Sequence, residues 1–295
     1  MKRTIRFEVT KEYDNMTVEQ VLHKKLDMSS ALITDLKKYS DGILFNSVHI
    51  RTVDRVTCGG IIEINIYEKV SENIVPNDIP IEILYEDEDV LVVNKPSDMP
   101  THPSAGHTEN TMANAVMAHY QKNGETHIFR AINRLDKDTS GIMCIAKNSY
   151  ANAKLCKQIK DGTLKRKYRA IAMGDICQDG TVDAPILRES FIKRCVHPDG
   201  QRAVTHYKVI KHNEKYTLLE LSLETGRTHQ IRVHMAYIGH PLLGDWLYGE
   251  SGDFEFIGQA LHSSYLEFIH PIKNEIMSFH NDMNREMERF IAIQS

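Results

Sequence analysis

Long hydrophobic runs are absent from this sequence, and that absence limits where the protein can reside. No apolar stretch approaches the ~20 residues that a transmembrane helix needs. The basic start, Met1 to Arg6, is not followed by the apolar segment of a secretory signal peptide. We therefore expect a cytoplasmic protein with no membrane partner.

Cysteine and tryptophan are also scarce. The five cysteines form no Cys-x-x-Cys pair, and their odd number favours neither a disulfide framework nor a zinc ribbon. With Trp246 as the single tryptophan, no extended platform for stacking single-stranded nucleic acid is visible. The 41% hydrophobic and 26% charged residues are typical of a folded globular protein, which excludes collagen-like, low-complexity and disordered classes.

The net charge of −4 hides a segregation of charge along the chain. Residues 154–169 contain seven cations and one anion, whereas residues 71–90 contain seven anions and no lysine or arginine. The two blocks cancel in the sum but not in space, so a local positive face is compatible with a mildly acidic protein. For the basic run in isolation, a solvated helix face is the alternative explanation.

The chain divides into a small N-terminal domain at 1–70, a linker at 71–80 and a larger domain at 81–295. In the first domain, residues 17–22 have a capping-box pattern with Asp14 or Thr17 as the N-cap of a helix, and Ser29 or Ser30 begins a second predicted helix. Alternating segments at 43–50 and 61–66 predict short strands. The linker contains two prolines and little periodicity.

The larger domain is rich in predicted strands with few helical segments. A helix is predicted from Ser149, as its cap, to Lys160, and Gly162 ends it. Strands are predicted at 90–93, 142–145, 168–172 and 216–221. Because strands and helices do not alternate regularly, we predict an α+β protein with a mainly antiparallel sheet.

The densest polar stretch between apolar runs is the segment 133–141. It contains two carboxylates, two cations, two hydroxyls and a glycine, which is more than a turn requires. A well-capped surface turn would explain this loop if it stood alone. Reactive groups nevertheless concentrate in loops held by strands, so the segment is a candidate site.

This segment resembles the signature of the RluA-type pseudouridine synthases, enzymes that isomerise uridine in RNA. Arg134-Leu135-Asp136-Lys137-Asp138-Thr139-Ser140-Gly141 carries the resemblance, although Asn133 stands where the family more often has histidine. Three further segments are similar to that family in the same order: Leu91 to Pro96 with His102-Pro103, Lys165 to Tyr168, and Thr225 to His234 followed by Gly239 to Asp245. The resemblance covers about residues 81 to 275 and implies the pseudouridine synthase fold.

The first seventy residues resemble an S4 domain, a compact RNA-binding module of two short helices and a strand ribbon. Phe45-Asn46-Ser47 stands about where that family has Val-Asn-Gly. The resemblance implies a small α/β S4-like domain ahead of the synthase domain, and it favours ribosomal RNA over transfer RNA as substrate.

The synthase resemblance also assigns roles in the reaction. Asp136 is implied as the catalytic carboxylate, acting as a nucleophile or as a base at C2′. Arg227 would pair with Asp136 and orient it, and Tyr168 would offer its ring to the detached base and its phenol near C5. The isomerisation involves no redox change or energy input, so no cofactor is demanded.

RNA is the implied partner, and no protein partner is. The target nucleotide must leave the RNA stack to reach a buried carboxylate. Arg134 would fill the space left by the base or hold its phosphate. The other implied RNA-binding residues, several of them in the basic run, are Lys95, Lys165, Arg166, Lys167 and Arg232.

Two other functions remain open. The first is a catalytically inactive RNA-binding or RNA-folding protein, against which the joint presence of the three implied catalytic residues speaks. The second is a carboxylate-dependent hydrolase with Asp138 as the second acid, although an Asx turn is the better explanation for Asp138. His229 and His234 would lie on opposite faces of a predicted strand without a third ligand nearby, so we expect structural histidines and no metal.

Overall fold

The structure is a computed structural model that describes residues 2–68, 74–104, 108–249 and 258–293. The first of these ranges folds into two helices against a four-stranded sheet of order β1-β4-β2-β3. Its elements are β1 (Lys2–Glu8), α1 (Val18–Leu26), α2 (Ser30–Leu36), β2 (Ile43–Phe45), β3 (Val48–His49) and β4 (Ile61–Tyr67), with a 3-10 turn at Lys11–Tyr13.

The sequence signals for the N-terminal helices are confirmed. The Thr17 side chain accepts from the Gln20 amide while the Gln20 side chain accepts from the Thr17 amide, which is a complete capping box. The Ser29 hydroxyl accepts from the Leu32 amide and caps α2. The apolar faces of both helices pack on the sheet and bury residues such as Val21, Leu22, Ile62 and Ile64.

The remainder of the described chain is built on one large sheet. Its order is β5-β6-β7-β14-β8-β13-β12-β9, with β15 paired to β14. The elements are β5 (Glu82–Glu86), β6 (Val90–Lys95), α3 (Met112–Lys122), β7 (Ser140–Ala146), α4 (Ser149–Asp161), β8 (Lys165–Met173), β9 (Gly180–Asp183), β10 (Ile186–Arg188), β11 (Arg194–Val196), β12 (Val204–His212), β13 (Tyr216–Leu223), α5 (Gln230–Tyr237), β14 (Leu261–Ile269), β15 (Ile276–His280) and α6 (Arg285–Ile293).

The large sheet is mainly antiparallel, as predicted. Its described strands pair antiparallel except for β7 and β14, which run parallel where Ser140 and Gly141 face His262 and Ser263. Burial on both faces explains the continuous apolar runs of β6 and β7, because cores lie on either side of these two strands. The α+β prediction is therefore confirmed.

Helix α5 corrects the strand expected around His229 and His234. The residues from Gln230 to Met235 are buried all round the helix. A helical segment that is buried on every side shows no amphipathic period, and the alternation of Ile231, Val233 and Met235 with polar residues resembles that of a strand. A smaller correction concerns α4, whose cap is the side chain of Asn148, accepting from the Ala151 amide, and not Ser149.

The two parts of the chain share contacts at α4. Tyr150 is buried in the core of the N-terminal helices and donates from its hydroxyl to the Leu26 carbonyl (2.9 Å). On the same side, the Arg3 guanidinium pairs with Asp89 (2.8 Å). The predicted linker lies partly outside the described residues, and its described part, residues 74–80, is hydrogen-bonded to α3 through Asn114.

No described helix combines the length and the hydropathy that crossing a membrane requires.

Candidate active site

The loop before β7, residues 134–139, is fixed by hydrogen bonds to its backbone carbonyls. The donors come from the segment that follows β6: Thr101 Oγ1 to Leu135 (2.6 Å), Ser97 Oγ to Asp138 (2.9 Å) and the Met99 amide to Lys137 (3.1 Å). Anchoring the backbone in this way gives the loop side chains a defined direction before any ligand binds.

Lys95 belongs to this support. Its side chain is fully buried, and Nζ donates to the carbonyls of Pro96 (2.8 Å), Met99 (2.6 Å) and Lys137 (2.9 Å). Burial lowers the pKa of Lys95 to about 7, while Asp136 and other aspartates oppose that shift. A side chain without exposed surface does not contact RNA, so the prediction that Lys95 binds RNA is wrong; it holds the loop.

Two residues fix the ends of the loop. Asn133 is buried and clamps β7, since it donates to the Ile142 carbonyl (3.0 Å) and accepts from the Cys144 amide (2.9 Å). Gly141 has φ +112°, and a Cβ there would lie 2.3 Å from the Ser263 carbonyl oxygen. Only glycine tolerates both that conformation and that approach of the neighbouring strand.

Asp136 points from this loop toward Arg232 on α5. Arg232 Nη1 donates to Asp136 Oδ2 (3.2 Å), and its Nε and Nη2 donate to the two oxygens of Asp245 (both 2.8 Å). Burial opposes the charge of Arg232, yet the hydrogen bonds to Asp245 and the nearby Asp136 raise its pKa. The guanidinium therefore remains a cation whose direction is set by Asp245.

The expected partner of Asp136 was Arg227, and this expectation is wrong. Arg227 donates from Nε to the Arg202 carbonyl (3.0 Å) and lies at the wall of the cavity in front of Asp136. Helix α5 begins after Arg227 and places Arg232 one turn deeper, where Asp245 holds it. A strand in this segment would place Arg227 and Arg232 differently from the observed helix, so the predicted strand did not indicate that Arg232 reaches the loop at 134–139.

Tyr168 on β8 lies beside Asp136 in the same cavity. It is 5% exposed, and burial raises the pKa of its phenol, with Asp136 adding to that effect and Arg166 opposing it. The phenol is therefore neutral at physiological pH. Its ring forms part of the wall shared by two adjoining spaces, both of which also contact Asp136.

The larger of these spaces is a cleft of about 540 Å³, within the size range of small-molecule sites. Four cationic side chains line it: Arg134, Lys160, Arg166 and Arg227. Glu224 is the other acid there, and ion pairs with Arg202 and His206 lower its pKa. The wall of the cleft is thus mainly cationic, and the carboxylate of Asp136 is among the groups that line it.

The basic run of the sequence is divided by strand alternation. Arg166 and Tyr168 face the cleft, whereas Lys165 and Lys167 face the other side of β8. There Lys165 pairs with Glu267 (2.6 Å) and Lys167 with Glu220 (3.1 Å). In helix α4, Lys154 and Lys157 pair with Asp27. RNA contact by Lys165 and Lys167 stays a prediction, and Arg166 has the better position.

His229, Tyr248 and Asp245 are site residues to which the sequence assigned no role in the reaction. His229 Nε2 lies 3.9 Å from Asp136 Oδ2, and its Nδ1 is hydrogen-bonded to the Tyr248 hydroxyl (2.8 Å). The sequence feature that points to His229 as a site residue is its position two residues after Arg227. His234 is structural, as expected, because its buried ring is bonded to Thr205 and the Ala184 carbonyl.

Two groups of side chains in the described part of the chain have the arrangement of metal ligands. Asp175, Cys177 and His212 form an exposed group, and Asp87, Asp89 and His270 form a more buried one. In the second group, Asp87 already accepts hydrogen bonds from Tyr85, Lys273 and two backbone amides. Neither group lines the spaces in front of Asp136.

Comparison with known proteins gives consistent results. The family model described as RNA pseudouridylate synthase matches residues 89–237. A Bacillus subtilis (strain 168) protein named Uncharacterized RNA pseudouridine synthase YjbO is 45% identical over 94% of this chain and 98% of its own length. The ribosomal large subunit pseudouridine synthase D of Escherichia coli (strain K12) is 39% identical over 81% of this chain and 78% of its own.

A solved structure extends the comparison to the fold. Human RNA Pseudouridylate Synthase Domain Containing 4 superimposes with a TM-score of 0.59, at 23% identity, over 72% of this chain and 92% of its own. At that identity the likeness concerns the fold alone.

Proposed function

This chain belongs to the RNA pseudouridylate synthase family and is an RNA pseudouridine synthase, and from that premise we propose that it isomerises uridines of large-subunit ribosomal RNA with Asp136 as the catalytic carboxylate. The name of the Escherichia coli relative supports this class of RNA. The positive cleft in front of Asp136 supports a polyanionic substrate.

One observation carries the role of Asp136. Its Oδ2 is held by Arg232, whereas its Oδ1 has no hydrogen-bond partner among the described residues. A carboxylate anchored through one oxygen keeps the other free to act on the ribose, as a nucleophile at C1′ or as a base at C2′. Because Arg232 is itself fixed by Asp245, the free oxygen keeps its direction.

The reaction breaks the N1–C1′ bond, turns the detached uracil and forms the C5–C1′ bond. N1 gains a proton and C5 loses one, so the reaction has no net redox change. The Tyr168 ring lies where it can stack on the uracil, and its neutral phenol can relay the proton that leaves C5. A stacked uridine must be flipped out first, and the exposed Arg134 is placed to occupy the position it leaves.

The hydrolase alternative has less support from the geometry. Asp138 does not line the spaces in front of Asp136, and its carbonyl is held by Ser97. Burial raises the pKa of Asp138, and we assign this residue to the support of the loop.

We also propose that residues 1–70 form an S4-like RNA-binding domain and residues 81–295 the synthase domain. The separate four-stranded sheet and core of the first segment support this division. The exposed Lys25 at the end of α1 supports a surface for phosphates on the first domain, whereas its neighbour Lys24 is paired with Glu12.

The test is tritium release from RNA labelled at uridine C5, because pseudouridine formation must expel that hydrogen. Ribosomal and transfer RNA pools are treated separately with the wild-type protein and with Asp136→Asn. We expect release from ribosomal RNA by the wild type, no turnover by Asp136→Asn, and nearly equal RNA affinity, since phosphate contacts supply most of the binding.

Asp138→Asn is the matched control, because it removes a carboxylate from the same loop outside the cavity, and it should retain turnover. Near-normal activity of Asp136→Asn would refute the mechanism. Release from transfer RNA alone would refute the substrate class and leave the mechanism standing.

A further inference from the structure

His229 is held in a conformation that its residue type disfavours. It precedes α5 with φ 57° and ψ 20°, in the left-handed region, and its side chain does not cap the helix. A non-glycine residue in this region has a conformational cost of about 1 kcal/mol or more, and such strain concentrates at functional sites. Glycine or asparagine would adopt this conformation at a lower cost, so a histidine at this position indicates that its side chain has a role.

The imidazole is oriented by a second side chain. Tyr248 accepts a hydrogen bond from the Arg194 amide (2.9 Å) and lies 2.8 Å from His229 Nδ1. The phenol proton has no other acceptor among the described residues, so Tyr248 donates to Nδ1. This arrangement leaves the remaining ring proton on Nε2, the nitrogen that faces Asp136.

The surroundings of His229 favour the neutral imidazole, which can donate one hydrogen bond. Burial lowers the pKa of His229, and the positive charges of Arg232 and Arg194 lower it further, while Asp136 opposes them. The Nε2–H group is 3.9 Å from Asp136 Oδ2, which is too long for a hydrogen bond. A donor that lines the cavity without reaching an acceptor is available to a substrate atom that lies beside both groups in the cavity.

We propose that His229 contacts the substrate by donating a hydrogen bond from Nε2 to the 2′-hydroxyl oxygen of the target uridine. Asp136 must reach C1′ or C2′ of the ribose, and this hydroxyl is the acceptor attached to C2′. The contact would help the enzyme to select ribose over deoxyribose, because the 2′-hydroxyl is the group that distinguishes RNA at a given site. The inference rests on the proposed role of Asp136.

The first experiment separates strain from function. His229→Gly relieves the left-handed backbone and removes the donor. We expect the variant to remain folded, because relief of the backbone strain offsets the lost hydrogen bond to Tyr248, and we expect the single-turnover rate of tritium release to fall about tenfold or more. Asn274→Gly is the control for a glycine at a left-handed position, since Asn274 has φ 56° and is exposed. Asparagine tolerates this conformation, so the stability of this variant should change little and its rate should not change.

The second experiment identifies the substrate atom. The probe is a synthetic RNA hairpin with one uridine that the wild type modifies, prepared with ribose or 2′-deoxyribose at that position. Affinity and single-turnover rate are measured for the wild type and for His229→Gly. We expect the wild type to discriminate against the deoxy substrate about tenfold or more, and His229→Gly to lose most of that discrimination, because the two changes remove the same contact.

The possible results distinguish the role of His229 from the role of Asp136. Wild-type rate in His229→Gly, or undiminished ribose discrimination in that variant, overturns the assignment of His229. Failure of Asp136→Asn to lose turnover overturns the proposed role of Asp136 instead. His229→Gln, which retains an amide donor, should recover part of the rate, and a rate as low as that of His229→Gly would contradict a hydrogen-bonding role.

Discussion

At the scale of single residues, buried polar groups decide the geometry of the site. Arg232 and Asp245 are nearly inaccessible, with side-chain exposures of 5% and 0%, and each satisfies the charge of the other. Removing one partner of such a pair leaves an uncompensated buried charge and destabilises a protein by about 3–5 kcal/mol. The Arg232–Asp245 pair therefore orients the carboxylate of Asp136. Lys95 holds the loop backbone in the same way, through buried contacts that water cannot replace.

His262 is the buried residue with the clearest consequence for pH dependence. It is 2% exposed, its Nδ1 is bonded to Ser140 Oγ (2.8 Å), and its Nε2 has no hydrogen-bond partner. Burial lowers its pKa to about 4, although the nearby Asn281 carbonyl raises it slightly. The folded protein thus keeps this ring neutral in a range where the unfolded chain protonates it, below a pKa of about 6.5.

Stability should accordingly fall as the pH is lowered from about 6.5 to about 4. Between pH 7 and pH 4.5, His262 should contribute a loss of about 2 kcal/mol in the free energy of unfolding, because the unfolded state binds the extra proton. Urea denaturation of the wild type and His262→Gln at both pH values measures this. The variant should lose about 2 kcal/mol less than the wild type; equal losses would show that His262 does not control this window.

At the scale of secondary-structure elements, strand β8 shows how alternation selects residues for function. Its lysines at 165 and 167 are paired with glutamates of neighbouring strands, and Arg166 and Tyr168 face the cleft. Arg166 has no carboxylate within ion-pair distance among the residues that the structure describes. A phosphate in the cleft would therefore meet the unpaired positive charge of Arg166. On the other face of β8, the charges of Lys165 and Lys167 are already balanced by glutamates.

Arg166→Ala should weaken RNA binding more than Lys165→Ala or Lys167→Ala does. Removal of one phosphate contact lowers the dependence of log K on log salt by about one unit and weakens binding across sequences. Affinity measured at several salt concentrations for the three variants checks this. Equal effects of the three variants would mean that the far face of β8 also contacts RNA.

At the scale of the whole molecule, α4 joins the N-terminal sheet to the large one. Its Tyr150 completes the N-terminal core, and its Lys154 and Lys157 pair with Asp27. These contacts and the Arg3–Asp89 pair join the two parts of the chain and engage two lysines of the basic run, whereas Lys160 of α4 lines the cleft. The residues that line the spaces in front of Asp136 all come from beyond residue 130.

Deletion of residues 1–70 should therefore weaken or redirect RNA binding without removing the active site. Tritium release from a short hairpin should persist, since no residue of the cavity is lost, while affinity for ribosomal RNA should fall. Circular dichroism establishes that the truncated protein is folded. Arg3→Ala in the full chain is the control for loss of docking alone. A folded truncation without turnover on the hairpin would contradict the domain assignment.

The sequence by itself determined the features that local chemistry decides. The capping box at Thr17, the buried runs of β6 and β7 and the polar loop around Asp136 follow from side-chain type and spacing. The irregular order of strands and helices predicted the α+β class, and the resemblance of the polar loop to a family signature implied Asp136 as the carboxylate. Tertiary structure alone decided that Arg232 and not Arg227 holds Asp136, that Lys95 is buried and that Lys165 and Lys167 are paired. Each of these depends on contacts between segments distant in the chain, and in α5 burial on all sides removed the periodicity from which a helix is predicted.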